Sequence, residues 1–324
     1  MSDPAYPLRF APVYKDYLWG GDRIPKLFQR DLPPGIYAES WELSDRPAGM
    51  SVVTNGALAG RSLRELCETI PEDLLGARRC GARFPLLVKI IDARLRASVQ
   101  VHPDARSAAA TKGEPKTEMW YVLAAEPGAR VYAGFRPGVG RADFERAMKA
   151  RRLPDLLDEI PVSAGDAVLV PGGLVHAIGE GCLMVEVQQN SETTYRLYDW
   201  DRVGPDGKSR KLHLAEAETC IGWNLRATIV PPPVPGRSAA RAARVLVECE
   251  YFRVEEWTVA GSSVCEQDGG LFQAFFVASG SVEFRTERGT ARAGPGTSVL
   301  LPAAVRHCEI QTREPAMILR ILPR

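Results

Sequence analysis

Apolar positions in this chain fall in short runs punctuated by glycine and proline, which number 29 and 25. Runs this short, rich in Val, Ile, Leu and aromatic residues, read as strands. A first set comprises SWELS, SVVTNG, LLVKIIDA, SVQVH, MWYVLAA, ARVYAGF, AVLVP and LMVEVQQN. A second set comprises RVLVECEYFRVEEWTV, LFQAFFVASG, SVEFR, SVLLP and AMILRIL. Their density predicts a mainly β chain of jelly-roll or barrel architecture with a few helical insertions. In SLRELCETI, Ser62 and Glu65 have capping-box spacing, and Leu63, Leu66, Cys67 and Ile70 form one stripe. RADFERAMKARRL places Phe144, Ala147 and Met148 at helical spacing and stops before Pro154. The stretch VPPPVPGRSAARAAR, 230–244, is proline-rich and then small and basic, so it predicts a linker between residues 1–229 and 245–324.

One strand breaks its own pattern. In TEMWYVL, 117–123, Trp120 and Val122 alternate with Met119, Tyr121 and Leu123, so neither face is polar and both should be covered. Yet Glu118 stands where this strand enters the core, and a buried carboxylate needs a charge, a hydrogen bond or a metal. A repeat bears on its partner. GDAVLVPGGLVHAI reads Gly165, Pro171, Gly173, His176 at the same spacing as Gly296, Pro302, Ala304, His307 in GTSVLLPAAVRHCEI. Upstream, Glu118 falls on Gln273, and no histidine of the second copy precedes Gln273. The two barrels are of one kind but differ in chemistry, and the second cannot hold a metal as the first does.

Charge and cysteine content narrow the class. Forty-one basic and forty acidic residues give a net charge of +1, without long runs of one sign, which argues against nucleic-acid or membrane-surface partners. The N-terminus has no apolar run of the secretory kind, and eighteen consecutive apolar residues occur nowhere. Seven scattered cysteines without a CxxC pair read as reduced thiols in the core. A soluble cytoplasmic protein is expected.

The motif G-x5-P-x-G-x2-H around His176 resembles the second cupin motif. In ASVQVHPD, Gln100 and His102 lie two apart on a predicted strand and share a face. With Glu118 and His176 they supply two imidazoles, a carboxylate and an amide oxygen, a set suited to zinc, manganese or iron, with positions left open for a substrate. Glu118 would then be charged because its partner is a metal ion, with Zn2+ the first choice.

Longer motifs sharpen this. LWGGDRIPKLF, ESWELSDRPAGMSVVTNG, FPLLVKIIDARLRASVQVHPD, KTEMWYVLAAEPGA, LVPGGLVHAIGEG and EVQQNSETTYRLYDWDR occur in that order over roughly the first two-thirds of the chain. In this the chain resembles the type I mannose-6-phosphate isomerases in their compact bacterial form. The resemblance implies a second, degenerate cupin barrel and metal ligands at His102, Glu118 and His176, with Gln100 as a further ligand in larger relatives. It also implies an active-site arginine at Arg196 and a pocket lysine at Lys116. Its reaction interconverts mannose 6-phosphate and fructose 6-phosphate through a cis-enediol. One departure is local: relatives read DAREDLSVQVHPDD where this chain has DARLRASVQVHPDA, so Leu95 and Arg96 replace an acidic pair and Ala105 an aspartate. These positions flank the ligands and read as a solvated turn.

Roles remain open at several positions. Lys116 would act as a proton carrier beside the metal, or be a surface lysine in KGEPKT. Arg196 would stabilise the enediolate, or pair with Asp199 or Asp201. Glu186 and Gln188 share a strand face opposite Val185 and Val187, so Glu186 would be a general base, an anchor for sugar hydroxyls or a solvated carboxylate, and Gln188 a substrate contact. Tyr14, Trp19 and Trp41 would line the mouth or, as aromatics usually do, fill the core, and no chemistry is assigned to them. No Walker-type phosphate loop occurs. Two other readings are a different metal-dependent cupin enzyme, such as a dioxygenase, and a non-catalytic sugar-binding cupin. Replacing His307 with alanine should leave metal content unchanged by elemental analysis; a stoichiometric loss would contradict the inert second site.

Overall fold

Short alternating strands joined by tight turns pair most easily with their neighbours, and the sheets are antiparallel. The computed structural model describes residues 4–77, 83–204, 206–232, 243–266 and 270–324. In the first half a seven-stranded sheet runs Thr228–Val230, Ala167–Val170, Glu118–Ala125, Cys182–Gln189, Leu86–Ala93, Glu39–Leu43, Val13–Lys15. It faces a five-stranded sheet ordered Leu157–Pro161, Arg130–Phe135, His176–Ile178, Val99–Val101, Tyr195–Tyr198. The second half repeats the central order with Ser298–Leu301, Gln273–Ser279, Ala316–Pro323, Phe252–Val259 and Ala243–Glu248, opposite a four-stranded sheet. The expected mainly β, cupin-type architecture is present.

The unpolarised alternation of the Glu118 strand has a plain cause. Trp120 and Val122 point between the two sheets of the first half, joining Ile91, Met184, Val131, Leu174 and Ile178 in one core. Met119 and Tyr121 point the other way and pack, with Val88, Ile90, Val185 and Val187, against Phe252, Phe272, Ala274, Phe276, Leu300 and Ile321 of the second half. The central sheet is therefore buried on both faces. Tyr121 also donates a 2.8 Å hydrogen bond to Glu256 across this contact.

Helices are short and few. Leu63–Thr69 starts at Ser62 with the capping box to Glu65 formed, and buries Leu63, Leu66 and Cys67. Arg141–Lys149 buries Phe144 and Ala147, with Met148 only partly covered. Several strands escaped the pattern reading, among them Val13–Lys15, Leu157–Pro161, Tyr195–Tyr198 and Leu8–Ala11. Leu8–Ala11 pairs with Ser298–Leu301 and with Val52–Val53, so the N-terminal segment joins the sheet of the second half. Of the expected linker, 233–242 lie outside the described residues; Thr228–Val230 and Ala243–Glu248 on either side are strands.

Phe272 packs on Phe84 with ring centroids 4.6 Å apart and planes tilted by 38° in the core shared by the two halves, and both are fully buried. Phe272→Ala should cost roughly 3–5 kcal/mol, read as a lower midpoint in denaturant unfolding.

Candidate metal centre and active site

Three elements converge at one end of the first half. His102 directly follows the strand Val99–Val101, His176 opens the strand paired with it, and Glu118 opens a strand of the opposite sheet. The glycines of the PGG turn make this approach possible. Gly173 N–H donates to the His102 carbonyl at 2.7 Å. A Cβ at Gly172 would fall 2.7 Å from the Pro103 carbonyl oxygen and 2.8 Å from Asp104 Cα, so only glycine lets the two histidine segments touch.

The imidazoles are held in one orientation. His102 Nδ1 donates to the Thr193 carbonyl at 2.9 Å, and His176 Nδ1 to the Leu174 carbonyl at 2.8 Å. A carbonyl only accepts, so the Nε2 lone pairs of the neutral rings face inward. His102 Nε2 lies 3.3 Å from Glu118 Oε2, and His176 Nε2 lies 3.4 Å from Glu118 Oε1. All three residues are at most 1% exposed. His102 Nε2 and both Glu118 oxygens are buried without a well-directed hydrogen bond. Lone pairs facing lone pairs repel unless a cation lies between them, and His102, Glu118 and His176 form the group among the described residues with metal-binding geometry. The donor set fits a divalent ion.

Gln100 sits across from His176, with its amide nitrogen 3.3 Å from His176 Nε2. Exchanging the amide's nitrogen and oxygen by a flip would present an acceptor to the same point. On the other side of Gln100 stands Arg196, so His176, Gln100 and Arg196 form a row across the sheet. Ser98 joins them: its hydroxyl donates to Gln100 Oε1 and accepts from Arg196 Nε, both at 3.2 Å. Arg196 Nη1 also donates to the Lys211 carbonyl at 2.9 Å. The alternative ion pairs for Arg196 are not formed, because Asp199 is held by Arg202 and Arg210 while Asp201 accepts from Tyr198.

Lys116 is buried, not on a surface turn, and its ammonium lies 2.9 Å from Glu118 Oε2. Glu186 and Gln188 share the face of Glu118 and are also buried, with Gln188 directly across from Glu118. Two residues the sequence reading did not single out complete the cluster. Lys89 Nζ lies 3.1 Å from Glu186 and 3.5 Å from Glu39. The available signal was a lysine in the middle of LLVKIIDA, a strand buried along its whole length. Burial pushes the Glu186 carboxyl up, helped by the nearby Glu118 charge and opposed by Lys89. Trp41 borders this cluster, its indole N–H donating to Glu39 at 2.6 Å. Trp19 belongs to the core between the two sheets of the first half. Tyr14, which the sequence leaves open to the mouth or the core, packs on the opposite face of the sheet, against the core shared with the second half and beside Arg30. Leu95 and Arg96 lie near the surface, Arg96 over the Trp200 ring at 4.0 Å.

Antiparallel sheets around a buried His/Glu/His centre define a metal-dependent cupin. The family model for the type I phosphomannose isomerase catalytic domain matches residues 8–127, and that for the mannose-6-phosphate isomerase cupin domain matches residues 243–319. A mannose-6-phosphate isomerase of Streptococcus mutans is 35% identical over 304 residues, covering 93% of this chain and 94% of its own. The mannose-6-phosphate isomerase ManA of Bacillus subtilis is 37% identical over 270 residues, covering 81% and 82%. The crystal structure of a mannose 6-phosphate isomerase from Bacillus subtilis superposes with a TM-score of 0.86 at 30% identity, covering 98% of this chain and 99% of that one. The chain belongs to the type I mannose-6-phosphate isomerase family, metal-dependent isomerases of the cupin superfamily.

Burial, together with the Lys116 charge, pushes the His102 imidazole down from its ordinary 6.5 to about 3. The folded state then binds this proton less readily than the unfolded state, so lowering the pH favours unfolding. Metal-free protein should lose stability between about pH 6.5 and pH 3, more steeply than the His102→Ala variant. Denaturant titrations across that range would show it; equal pH dependence in both proteins would remove His102 as the source.

Proposed function

We propose that this chain interconverts D-mannose 6-phosphate and D-fructose 6-phosphate using one divalent ion, Zn2+ in the first instance. His102, Glu118 and His176 hold it, with Gln100 as a further ligand. The observation that carries this reading is the inward convergence of His102 Nε2, His176 Nε2 and both Glu118 oxygens, with His102 Nε2 and the two carboxylate oxygens buried without a hydrogen bond and the Lys116 ammonium beside one oxygen alone. When bound, the ion supplies a Lewis acid for the sugar oxygens at which charge develops during isomerisation. Half-buried Arg196, tethered by Ser98 and the Lys211 carbonyl, is placed to hold a substrate oxygen and offset that charge.

The proton moves between C2 and C1 on one face of a cis-enediol, which calls for a group that both accepts and donates it. Glu186 suits this by its raised affinity for protons, and the paired Lys89 sets how far that affinity rises. Lys116 is the second candidate, being buried against Glu118. Gln188, fully buried with its Oε1 lacking a hydrogen bond, is placed to accept from a sugar hydroxyl. The division into a catalytic part, 1–229, and a degenerate cupin, 245–324, joined by 230–244, belongs to the same reading. It is supported by the separate stretches that the two family models match, with the Leu8–Ala11 strand as the element that ties the parts together. No helix among the described residues is long and apolar enough to cross a membrane, and we place the enzyme in the cytoplasm with small sugar phosphates as its partners.

A coupled assay with mannose 6-phosphate should show turnover that chelation abolishes and a divalent ion restores. His102→Ala and Glu118→Ala should lose metal and turnover together while keeping their secondary structure. Arg196→Ala should keep its metal and lose about 10²–10³-fold in kcat; near-normal turnover would take Arg196 out of the mechanism. Turnover unaffected by chelation would overturn the metal-dependent reading altogether.

A further inference from the structure

The two halves place a buried ion pair at the same point of the fold and reverse its sign. Their registers align: Glu118 lies opposite Val170 and two residues before Trp120, and Gln273 lies opposite Leu301 and two residues before Phe275. In the first half Glu186 stands between Trp120 and Lys89 on neighbouring strands. In the second half Arg320 stands between Phe275 and Glu255. Lys89 meets Glu186 at 3.1 Å, and Arg320 meets Glu255 at 3.4 Å. Each carboxylate also accepts from an indole N–H, that of Trp120 at 3.1 Å and that of Trp257 at 2.9 Å.

The reversal changes what the second half can attract. The counterpart of metal-facing Glu118 is Gln273, whose Oε1 accepts from Arg320 Nε at 2.7 Å. A guanidinium thus occupies the place of a substrate-side carboxylate, and a divalent cation there would meet like charge. A cavity of about 240 Å³ opens over this point, its walls including Arg253, Arg320 and Arg324 around Glu255, with Leu271 and Phe272 as apolar wall. Arg253, Glu255, Arg320 and Leu322 correspond in register to Leu87, Lys89, Glu186 and Gln188, so the cavity lies where the first half has its substrate side. Three guanidinium groups share two carboxylates here, Glu255 with Arg253 and Arg320, and Glu248 with Arg253 and Arg324, so one positive charge stands in excess beside the concave wall, carried by the side chain whose fork binds phosphate.

We infer that the second half binds a small oxyanion in this cavity: phosphate, free or as the end of a phosphomonoester. The inference does not depend on the isomerase reading. The test is isothermal titration of inorganic phosphate, and separately of glycerol 3-phosphate, into the full chain. Variants are Arg196→Ala as a control at the first site, the rim change Arg253→Ala, and the double change Glu255→Gln with Arg320→Gln. The double change removes both members of the pair, so neither charge is left buried alone; if it does not fold, Arg253→Ala decides.

One saturable event should persist in Arg196→Ala, weaken about tenfold or more in Arg253→Ala, and vanish in the double variant, which should keep its isomerase turnover. Binding of both probes identifies the phosphate group itself as what is recognised. Binding of glycerol 3-phosphate alone points to a phosphorylated metabolite, and of inorganic phosphate alone to the free ion. Absence of saturable binding, binding indifferent to Arg253→Ala and the double change, or loss in Arg196→Ala would each overturn the inference.

Discussion

Two imidazole nitrogens and a carboxylate brought face to face inside a protein make an unstable arrangement, and much of the first half is organised around it. Each ring spends its one N–H on a backbone carbonyl, so neither can turn a donor inward. Lys116 reaches one oxygen of Glu118 and compensates the carboxylate in part. The desolvation penalty of a buried carboxylate runs to several kcal/mol, and one ammonium at the edge leaves the other carboxylate oxygen and the His102 Nε2 lone pair unanswered. A divalent ion answers all of them at once. The glycines of the PGG turn, the polar first residue of the Glu118 strand and the tight HPD segment are features that this convergence requires and that a plain hydrophobic core would not.

Holding such a centre still requires a stiff wall behind it. The sheet that carries Glu118, Glu186, Gln188 and Lys89 turns these residues toward the site and its alternate residues toward the second half. Met119, Tyr121, Val185 and Val187 would lie open to water without that cover. A second half with glutamine at the metal position still serves the first site, because it buries the back of the Glu118 sheet. The strand Leu8–Ala11 strengthens the same junction by pairing across it.

Much of this was legible in the residues. Alternation, turn residues and the repeated G-x5-P spacing located the strands and the two copies. Strand parity placed Gln100 with His102, and Glu186 with Gln188, on common faces. Other features depend on contacts between segments far apart in the chain. Nothing local in LRFA says that it will pair with a strand near residue 300, since a four-residue alternation fits many partners. The sequence leaves Tyr14 open to the mouth or the core, because an aromatic on a strand gives no sign of which face the second half will cover. Ser98, two residues before Gln100, acquires its role only once Arg196 lies within reach on the neighbouring strand. Lys89 was the most visible omission, since a lysine inside a run of Leu, Val and Ile must find a carboxylate somewhere.

The paired charges of Lys89 and Glu186 also bear on why the second copy has kept charges at all. Had the second half needed only to fill space, the simplest replacement for a buried pair would be apolar side chains of similar volume, which are often neutral or stabilising. It instead has Glu255 and Arg320 at those positions, an indole N–H on the carboxylate as before, and the guanidinium now against Gln273. The conserved quantity between the two copies is a compensated pair; the sign of each member is free to exchange. The member on the strand beside that of Glu118 or Gln273 then decides which sign of ion is drawn in. With Glu186 and Glu118 on that side the first copy attracts a cation, and with Arg320 there the second copy opposes one. One architecture thereby separates its two halves by charge while leaving the strand order between them unchanged.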